Sequence, residues 1–346
     1  MRRHHRRAGQ GGSRTLPAPT DWKSTETSLG AANTSVCATG GVERCGVKPS
    51  VGLARALRGV LLCAWLVSVG WCESAPPKLI DCHVHHDGSV AFLEKLTAKL
   101  DGSDGMALLI TMPKDLEQVS AFMKAHPGRL IGLGQVDLDS PQVLETVRRF
   151  QRAGFAGLGE LTGPRYRYDD ERYWPIYRLA EQSRMIVLFH TGIVNRMTPE
   201  IPSNVSSDRM RAATLDLIAR QFPRLTIIGA HLGNPDYAWA GEVARWNPNV
   251  YFDVSGSTLI KKQDDLGFFK SVFWWTSVAS AHTPKSAAPA FEKVIFGSDV
   301  FGGDLEEMDR ALERYRRMLE ACGVSPEVRE NILGGTLRRV LESRDK

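Results

Sequence analysis

Six residues of the types that bind divalent metals each stand at or near the end of a short apolar run. Each has an ordinary explanation alone, such as a core histidine, a structural ion pair or a helix cap. Because all six residues occupy equivalent places, one shared role explains them better than six separate roles. The pattern therefore predicts a metal centre, and its residues are four histidines and two carboxylates: His83, His85, Glu160, His190, His231 and Asp299.

The number of these residues bears on how many ions they hold. His83 and His85 are two residues apart, so on a strand both imidazoles point to the same side. Four histidines and two carboxylates exceed what one tetrahedral zinc ion with an open position needs, but they suit two ions about 3.5 to 4 Å apart. We expect one or two divalent ions, Zn²⁺ first and Mn²⁺ as the alternative. In the two-ion arrangement His83, His85 and Asp299 hold one ion, His190 and His231 hold the other, and Glu160 bridges them.

This arrangement predicts a hydrolytic reaction. A water shared by two divalent ions loses a proton near neutral pH and can attack a carbonyl carbon. Asp299 would take that proton and return it to the leaving group, while an ion would stabilise the developing oxyanion. The expected substrate is a small organic molecule with an amide or lactone group.

The elements that must position these residues follow from the alternation of short apolar runs with longer amphipathic stretches, which indicates repeated βα units. Eight units in about 270 residues match an α/β fold of the (β/α)8 TIM barrel type, whose functional residues gather at the carboxyl ends of the strands. An open, doubly wound sheet is the competing interpretation. The predicted strands are Lys78–His83, Met106–Met112, Leu130–Val136, Phe155–Glu160, Met185–His190, Leu225–His231, Asn249–Ser255 and Lys293–Asp299.

Charge is distributed unevenly along the 346 residues. The formal net charge is +5, but residues 1–74 hold ten basic and four acidic residues, so the remaining 272 hold 34 basic and 35 acidic ones. A segment with net charge −1 has no basic surface for a phosphate backbone. We therefore expect a small-molecule substrate and no nucleic-acid partner; homo-oligomerisation is left open.

Three segments are predicted. Residues 1–50 are rich in Arg, Gly, Ser, Thr and Pro without periodicity, which predicts a disordered or mis-called extension. Residues 51–75 combine Arg55 and Arg58, an apolar run at 59–70 and small residues at Ser74 and Ala75, the layout of a signal peptide. An uncleaved membrane anchor formed by residues 59–70 is the alternative. Residues 76–346 form the barrel, and the expected location is exported, either periplasmic or extracellular.

Several motifs around these residues resemble those of the amidohydrolase superfamily, most closely the branch of the aminocarboxymuconate semialdehyde decarboxylase type. The resemblance spans residues 78–342 and implies a metal-dependent barrel enzyme that carries out hydrolysis or decarboxylation. The closing stretch 330–341 is similar to that branch's C-terminal helix, with Thr336 where Asn is usual. The motifs are Ile80–His85, Phe189–Gly192, Ile228–Gly233, Val250–Ser255 and Phe296–Asp299.

One motif departs from this branch. Gly157–Leu161 looks like the segment with the bridging glutamate of TatD-type hydrolases, whereas decarboxylase members with one metal ion typically lack that ligand. If Glu160 does not bridge, the resemblance implies one ion held by His83, His85, His190 and Asp299, with His231 transferring protons.

Four functions follow from these patterns. The first is a metal-dependent hydrolase with Asp299 and His231 as catalytic residues, and the alternative is a non-oxidative decarboxylase (carboxy-lyase) of an aromatic or muconate-type acid. A TatD-like phosphodiesterase is less favoured because of the net charge, and a barrel that keeps its metal only for stability is the non-enzymatic interpretation. Candidate substrate-binding residues are Arg165, Arg167 and Trp274.

Overall fold

The structure, a computed structural model, describes residues 78–196, 198–276 and 289–344. The predicted disordered segment at 1–50 and the signal or anchor segment at 51–75 lie outside the described residues. No described helix is long and apolar enough to cross a membrane. Two cysteines, Cys82 and Cys322, are described, and both are free thiols.

Seven parallel strands form one sheet in chain order, each hydrogen-bonded to the next along the chain. Nearly all their side chains are buried, as expected for a parallel sheet covered by helices on its outer face. The strands therefore follow seven of the eight predicted apolar runs. They are β1 Leu79–His85, β2 Gly105–Thr111, β3 Leu130–Gly134, β4 Gly157–Leu161, β5 Ile186–His190, β6 Thr226–Ala230 and β7 Val250–Phe252.

The eighth predicted strand, Lys293–Asp299, is not a regular strand. Single bridges join Val294 to Phe252 of β7 and Val300 to Val84 of β1. Between them the ladder is interrupted, because the Phe296 amide donates to the Ile332 carbonyl and the next two amides donate to the side chains of Tyr315 and Asp81. Residues 294–300 thus occupy the eighth position and join the two edges of the sheet, as in a barrel rather than an open sheet.

The helices follow the strands in the order expected of βα units. In α9, the longest of them in the described residues, Met308, Ala311, Tyr315 and Leu319 are buried at intervals of three and four residues, which defines its inner face. The helices are α1 Val90–Ser103, α2 Leu116–Ala125, α3 Val143–Arg152, α4 Trp174–Gln182, α5 Thr214–Gln221, α6 Tyr237–Trp246, α7 Ser257–Lys262, α8 Leu266–Val272, α9 Glu306–Ala321, α10 Pro326–Glu330 and α11 Thr336–Arg344.

Two hydrophobic clusters hold this arrangement together. The larger one lies between the sheet and the surrounding helices. The smaller one contains alternate strand residues such as Ile80, Leu188 and Ile228, and includes Leu337 from α11. The C-terminal helix therefore contributes to the inner core, which supports the strands from the end opposite to their carboxyl termini.

A buried lysine makes the stability of this core depend on pH. Lys293 is 3% exposed, and its ammonium donates to the carbonyls of Asn247 and Pro248 at 3.0 and 2.9 Å. Burial lowers the pKa of Lys293 to about 7 from its ordinary 10.5. Above pH 7 the unfolded chain therefore binds a proton that the folded chain does not, so stability rises with pH up to the unfolded value.

We expect the free energy of unfolding of the wild type to increase by about 2 kcal/mol relative to Lys293→Met between about pH 7 and pH 9. Urea unfolding at a series of pH values measures this difference. Lys95→Met, at an exposed position of α1, is the control and should parallel the wild type. Parallel curves for wild type and Lys293→Met would contradict the prediction.

Candidate metal centre

The strands that carry His83 and Glu160 are both irregular at those residues. The register between β1 and β2 shifts between Asp81 and Val84, and the register between β4 and β5 shifts between Leu158 and Leu161. In β1 this lets Cys82 join the inner core while the next residue, His83, also faces inward. A regular strand sends successive side chains to opposite faces, so the bulge is needed to aim His83.

His83, His85 and Asp299 form the first part of the site. The Nε2 atoms of the two histidines are 3.1 Å apart. Oδ1 of Asp299 lies 3.4 Å from Nε2 of His83 and 3.6 Å from Nε2 of His85. One donor atom from each residue thus converges on one small volume, where all three atoms lie within 4.8 Å of one another.

Glu160 connects this group to the other two histidines. Its Oε2 lies 3.8 Å from Nε2 of His83 and 3.7 Å from Nε2 of His85. Its Oε1 lies 2.9 Å from Nδ1 of His190 and 3.4 Å from Nε2 of His231. Each carboxylate oxygen therefore faces one pair of histidines, and the structure brings all six predicted residues together.

Charge is strongly coupled in this cluster. Burial would raise the pKa of Glu160, but the facing His83, His190 and His231 hold it well below its usual range. Burial would lower the pKa of His83, but Asp299 and Glu160 raise it well above its usual range. The carboxylates and the imidazoles of this cluster therefore shift each other's pKa in opposite directions.

The donor set fits a metal ion. Nδ1 of His83 is hydrogen-bonded to a carboxylate of Asp253, so Nε2 is the atom free to bind in a neutral ring. Two imidazole nitrogens facing each other at 3.1 Å need either a proton or a cation between them. Nitrogen and carboxylate donors of this kind suit Zn²⁺ and Mn²⁺.

Two of the six residues have unusual backbone conformations. His231 and Asp299 both have a φ of +61°, a region that residues other than glycine rarely adopt and that often marks functional sites. Gly256, in the loop after β7, lies close to both side chains. A Cβ at this position would lie 2.9 Å from Oδ2 of Asp299 and 3.1 Å from Nδ1 of His231, so the absence of a side chain lets the loop pack against them. Tertiary contacts therefore hold both residues in place.

The site includes one residue that the sequence reasoning missed. Asp253 follows β7 and is completely buried, and its Oδ2 is 3.0 Å from Nδ1 of His83. Burial would raise its pKa, but the hydrogen bond from His83 and other contacts lower it to about 2. The sequence did offer a signal for Asp253, because it is an acidic residue directly after a buried strand and lies within the motif Val250–Ser255.

The three candidate substrate-binding residues do not hydrogen-bond or ion-pair with the six residues in the described part of the chain. Arg167 forms a bidentate pair with Asp169, whereas the Arg165 side chain is exposed and makes no ion pair with another described residue, its backbone amide alone donating to Asp139. Trp274 packs against Arg245, near the end of α6. That end lies away from the carboxyl ends of the strands because the helix runs back along the barrel. The substrate role of Trp274 stays a prediction that its contacts do not support.

Comparison with known proteins gives one family and a set of similar folds. The amidohydrolase family model Amidohydro_2 matches residues 80–342. No curated protein sequence matches the chain. The matched residues include all six members of the cluster and Asp253.

Three solved structures illustrate the similar folds. An uncharacterised TIM-barrel protein from Bordetella bronchiseptica has a TM-score of 0.54 and 14% identity, covering 78% of this chain and 99% of that one. A probable 2-pyrone-4,6-dicarboxylic acid hydrolase from Acinetobacter baumannii has a TM-score of 0.50 and 15% identity, with 77% and 99% covered. A 2,6-dihydroxybenzoate decarboxylase has a TM-score of 0.50 and 14% identity, with 76% and 99% covered. At these identities the likeness shows the barrel fold alone.

Proposed function

The chain belongs to the amidohydrolase family, and from this premise we propose that it is a metal-dependent hydrolase of a small organic substrate. The bond attacked is an amide or lactone. The observation that carries the proposal is the position of Glu160, whose two carboxylate oxygens face different pairs of histidines. That arrangement supports a bridging carboxylate between two ions, which is typical of hydrolytic centres.

The proposed ligands are the six residues of the cluster. His83, His85 and Asp299 would hold one ion, His190 and His231 would hold a second, and Glu160 would contribute one carboxylate oxygen to each. Bound divalent ions supply Lewis acidity and lower the pKa of water, so that hydroxide is available near neutral pH. The metal identity is proposed as Zn²⁺, with Mn²⁺ as the alternative.

Asp299 is the proposed proton carrier. Its side chain is 27% exposed, more than those of the other five residues, so a substrate can reach it. Its Oδ2 lies 3.9 Å from Nδ1 of His231. We assign to this oxygen the proton of the attacking water and its later transfer to the leaving group.

A decarboxylase is the second candidate function. Arg165 favours it, because a guanidinium without an ion-pair partner in the described residues can bind a substrate carboxylate bidentately. The similar fold of a 2,6-dihydroxybenzoate decarboxylase is compatible with this alternative. If the cluster holds one ion, His231 would transfer the proton to the carbon that loses CO₂.

Product analysis in water enriched in oxygen-18 separates the two functions. The purified chain, loaded with Zn²⁺ or Mn²⁺, would be incubated with a panel of lactones, amides, and aromatic and muconate-type acids. We expect one labelled oxygen in the new carboxylate of a hydrolysis product and no CO₂. Release of CO₂ with no label in the organic product would replace the hydrolase with the decarboxylase, and a preparation that binds no divalent ion would contradict both.

The loop after β4 gives a second test of the decarboxylase. If a substrate carboxylate binds there, Arg165→Ala should raise KM by about 10-fold or more, because a charge-assisted bidentate contact is lost. Arg167→Ala is the matched control and should leave KM nearly unchanged, since Asp169 already occupies that guanidinium. Equal effects of the two variants would contradict the assignment to Arg165.

A further inference from the structure

The hydrogen bonds of Asp253 all run in one direction. Its Oδ2 accepts from Nδ1 of His83 at 3.0 Å and faces the Cys82 thiol at 3.9 Å. Its Oδ1 accepts from the amides of His231 and Ser255 at 2.9 and 3.0 Å, and from the Ser255 hydroxyl at 2.6 Å. A carboxylate that receives so many donors acts only as an acceptor.

The direction of these hydrogen bonds assigns the proton of the His83 ring. Because Asp253 cannot donate, the hydrogen between Oδ2 and His83 belongs to Nδ1 of His83. When this ring is neutral it carries that one proton, and Nε2 of His83 then has a bare lone pair. That lone pair faces Nε2 of His85 and Oδ1 of Asp299.

The same carboxylate reaches a second ring through Ser255. A serine hydroxyl has one hydrogen, and the 2.6 Å contact commits it to Oδ1 of Asp253. Ser255 Oγ therefore accepts, rather than donates, in its 3.0 Å contact with Nδ1 of His231. When His231 is neutral its proton is thus also on Nδ1, which leaves Nε2, 3.4 Å from Oε1 of Glu160, available to a cation that both atoms could bind.

We propose that Asp253 is a positioning residue that sets the tautomer of two site histidines, His83 directly and His231 through Ser255. Both rings then present Nε2 to the same group of donor atoms. The value of this arrangement to catalysis rests on the proposed function, because it readies two nitrogens either to bind a metal ion or to accept a proton. Hydrogen-bond partners of this kind commonly change metal affinity by about 10- to 100-fold when removed.

The tautomers can be read directly by nitrogen-15 NMR of the full chain labelled at histidine. Spectra of the metal-free and Zn²⁺-loaded protein would be followed upward in pH until each ring has lost its second proton. We expect His83 and His231 to keep the remaining proton on Nδ1 in both forms. A remaining proton on Nε2 of either ring would overturn the proposal.

Three variants test the route through Ser255. Ser255→Ala should leave His231 as a mixture of tautomers while His83 stays protonated on Nδ1. Ser255→Thr keeps the hydroxyl and should retain the wild-type His231 signal. Asp253→Asn should disturb both rings and weaken Zn²⁺ binding, measured by competition with a chelator, by about 10- to 100-fold. If the spectra of Ser255→Ala are identical to those of the wild type, Ser255 does not set the tautomer of His231.

These measurements separate the inference from the proposed function. The metal-free spectra report the tautomers whether or not the chain hydrolyses any substrate. If the wild-type tautomers are as expected but no substrate is turned over, Asp253 remains a positioning residue and the site has another activity. If the protein hydrolyses a substrate but the tautomers are the opposite ones, the proposed hydrolase function stands and the role of Asp253 is overturned.

Discussion

Replacing Asp299 with asparagine should lower kcat by about 10²- to 10⁴-fold, the usual contribution of a positioned proton carrier. Asparagine keeps the shape of the side chain but cannot take a proton. Burial would raise the pKa of Asp299, but His83 and other neighbours lower it, so the wild-type group is ionised and ready to accept. The measurement is steady-state turnover on the substrate found by product analysis.

Metal content must be measured on the same samples, because Asp299 is also a proposed ligand. If the variant loses activity but keeps its metal, Asp299 acts as a proton carrier. If it loses both, Asp299 acts mainly as a metal ligand. Asp304→Asn is the matched control, since Asp304 pairs with Arg310 at an exposed position after the site. Unchanged kcat in Asp299→Asn would exclude Asp299 as the proton carrier.

Replacing Glu160 with glutamine should reduce the number of bound divalent ions from the proposed two per chain to one or none. The four histidine nitrogens around Glu160 lie between 2.9 and 3.8 Å from its oxygens. Glutamine removes the negative charge and points an NH₂ group at one of the two histidine pairs, so one ion loses its bridge. Metal analysis after equilibration with Zn²⁺ measures the stoichiometry, and hydrolysis should fall by at least about 100-fold.

Glu145→Gln is the control for this substitution, because Glu145 forms an exposed ion pair with Arg152 on α3. It should keep the wild-type metal content and activity. If wild-type protein binds one ion and Glu160→Gln binds it equally well, Glu160 is not a ligand. The arrangement with one ion, and with His231 as the proton-transfer residue, would then replace the bridged one.

Much of the fold was predictable from the sequence because the signals are local. Buried parallel strands are short apolar runs, and seven of them were found with ends within a few residues of the observed ones. The eighth was wrong as a regular strand, although its residues lie where the eighth strand belongs. Its apolar run looks like the others, but three successive amides, those of Phe296, Gly297 and Ser298, donate outside a regular ladder.

The site was predictable in composition but not in detail. The carboxyl ends of parallel strands meet at one end of a barrel, so residues at those ends gather whatever their separation in the chain. The bulge at His83 and the positive φ of Asp299 have no local sequence signal, because neighbouring strands and loops impose them. The pairing of Arg167 with Asp169 likewise depended on the loop conformation.

The sequence by itself determined the residue types, the order of the βα units and the family, because apolar periodicity and short motifs are written along the chain. Only the tertiary structure decided which atoms face each other. Asp253 and His83 are 170 residues apart in sequence, and no pattern within either segment predicts their hydrogen bond. The direction of a lone pair depends on the partner across the barrel, and that partner is known only once the strands are side by side.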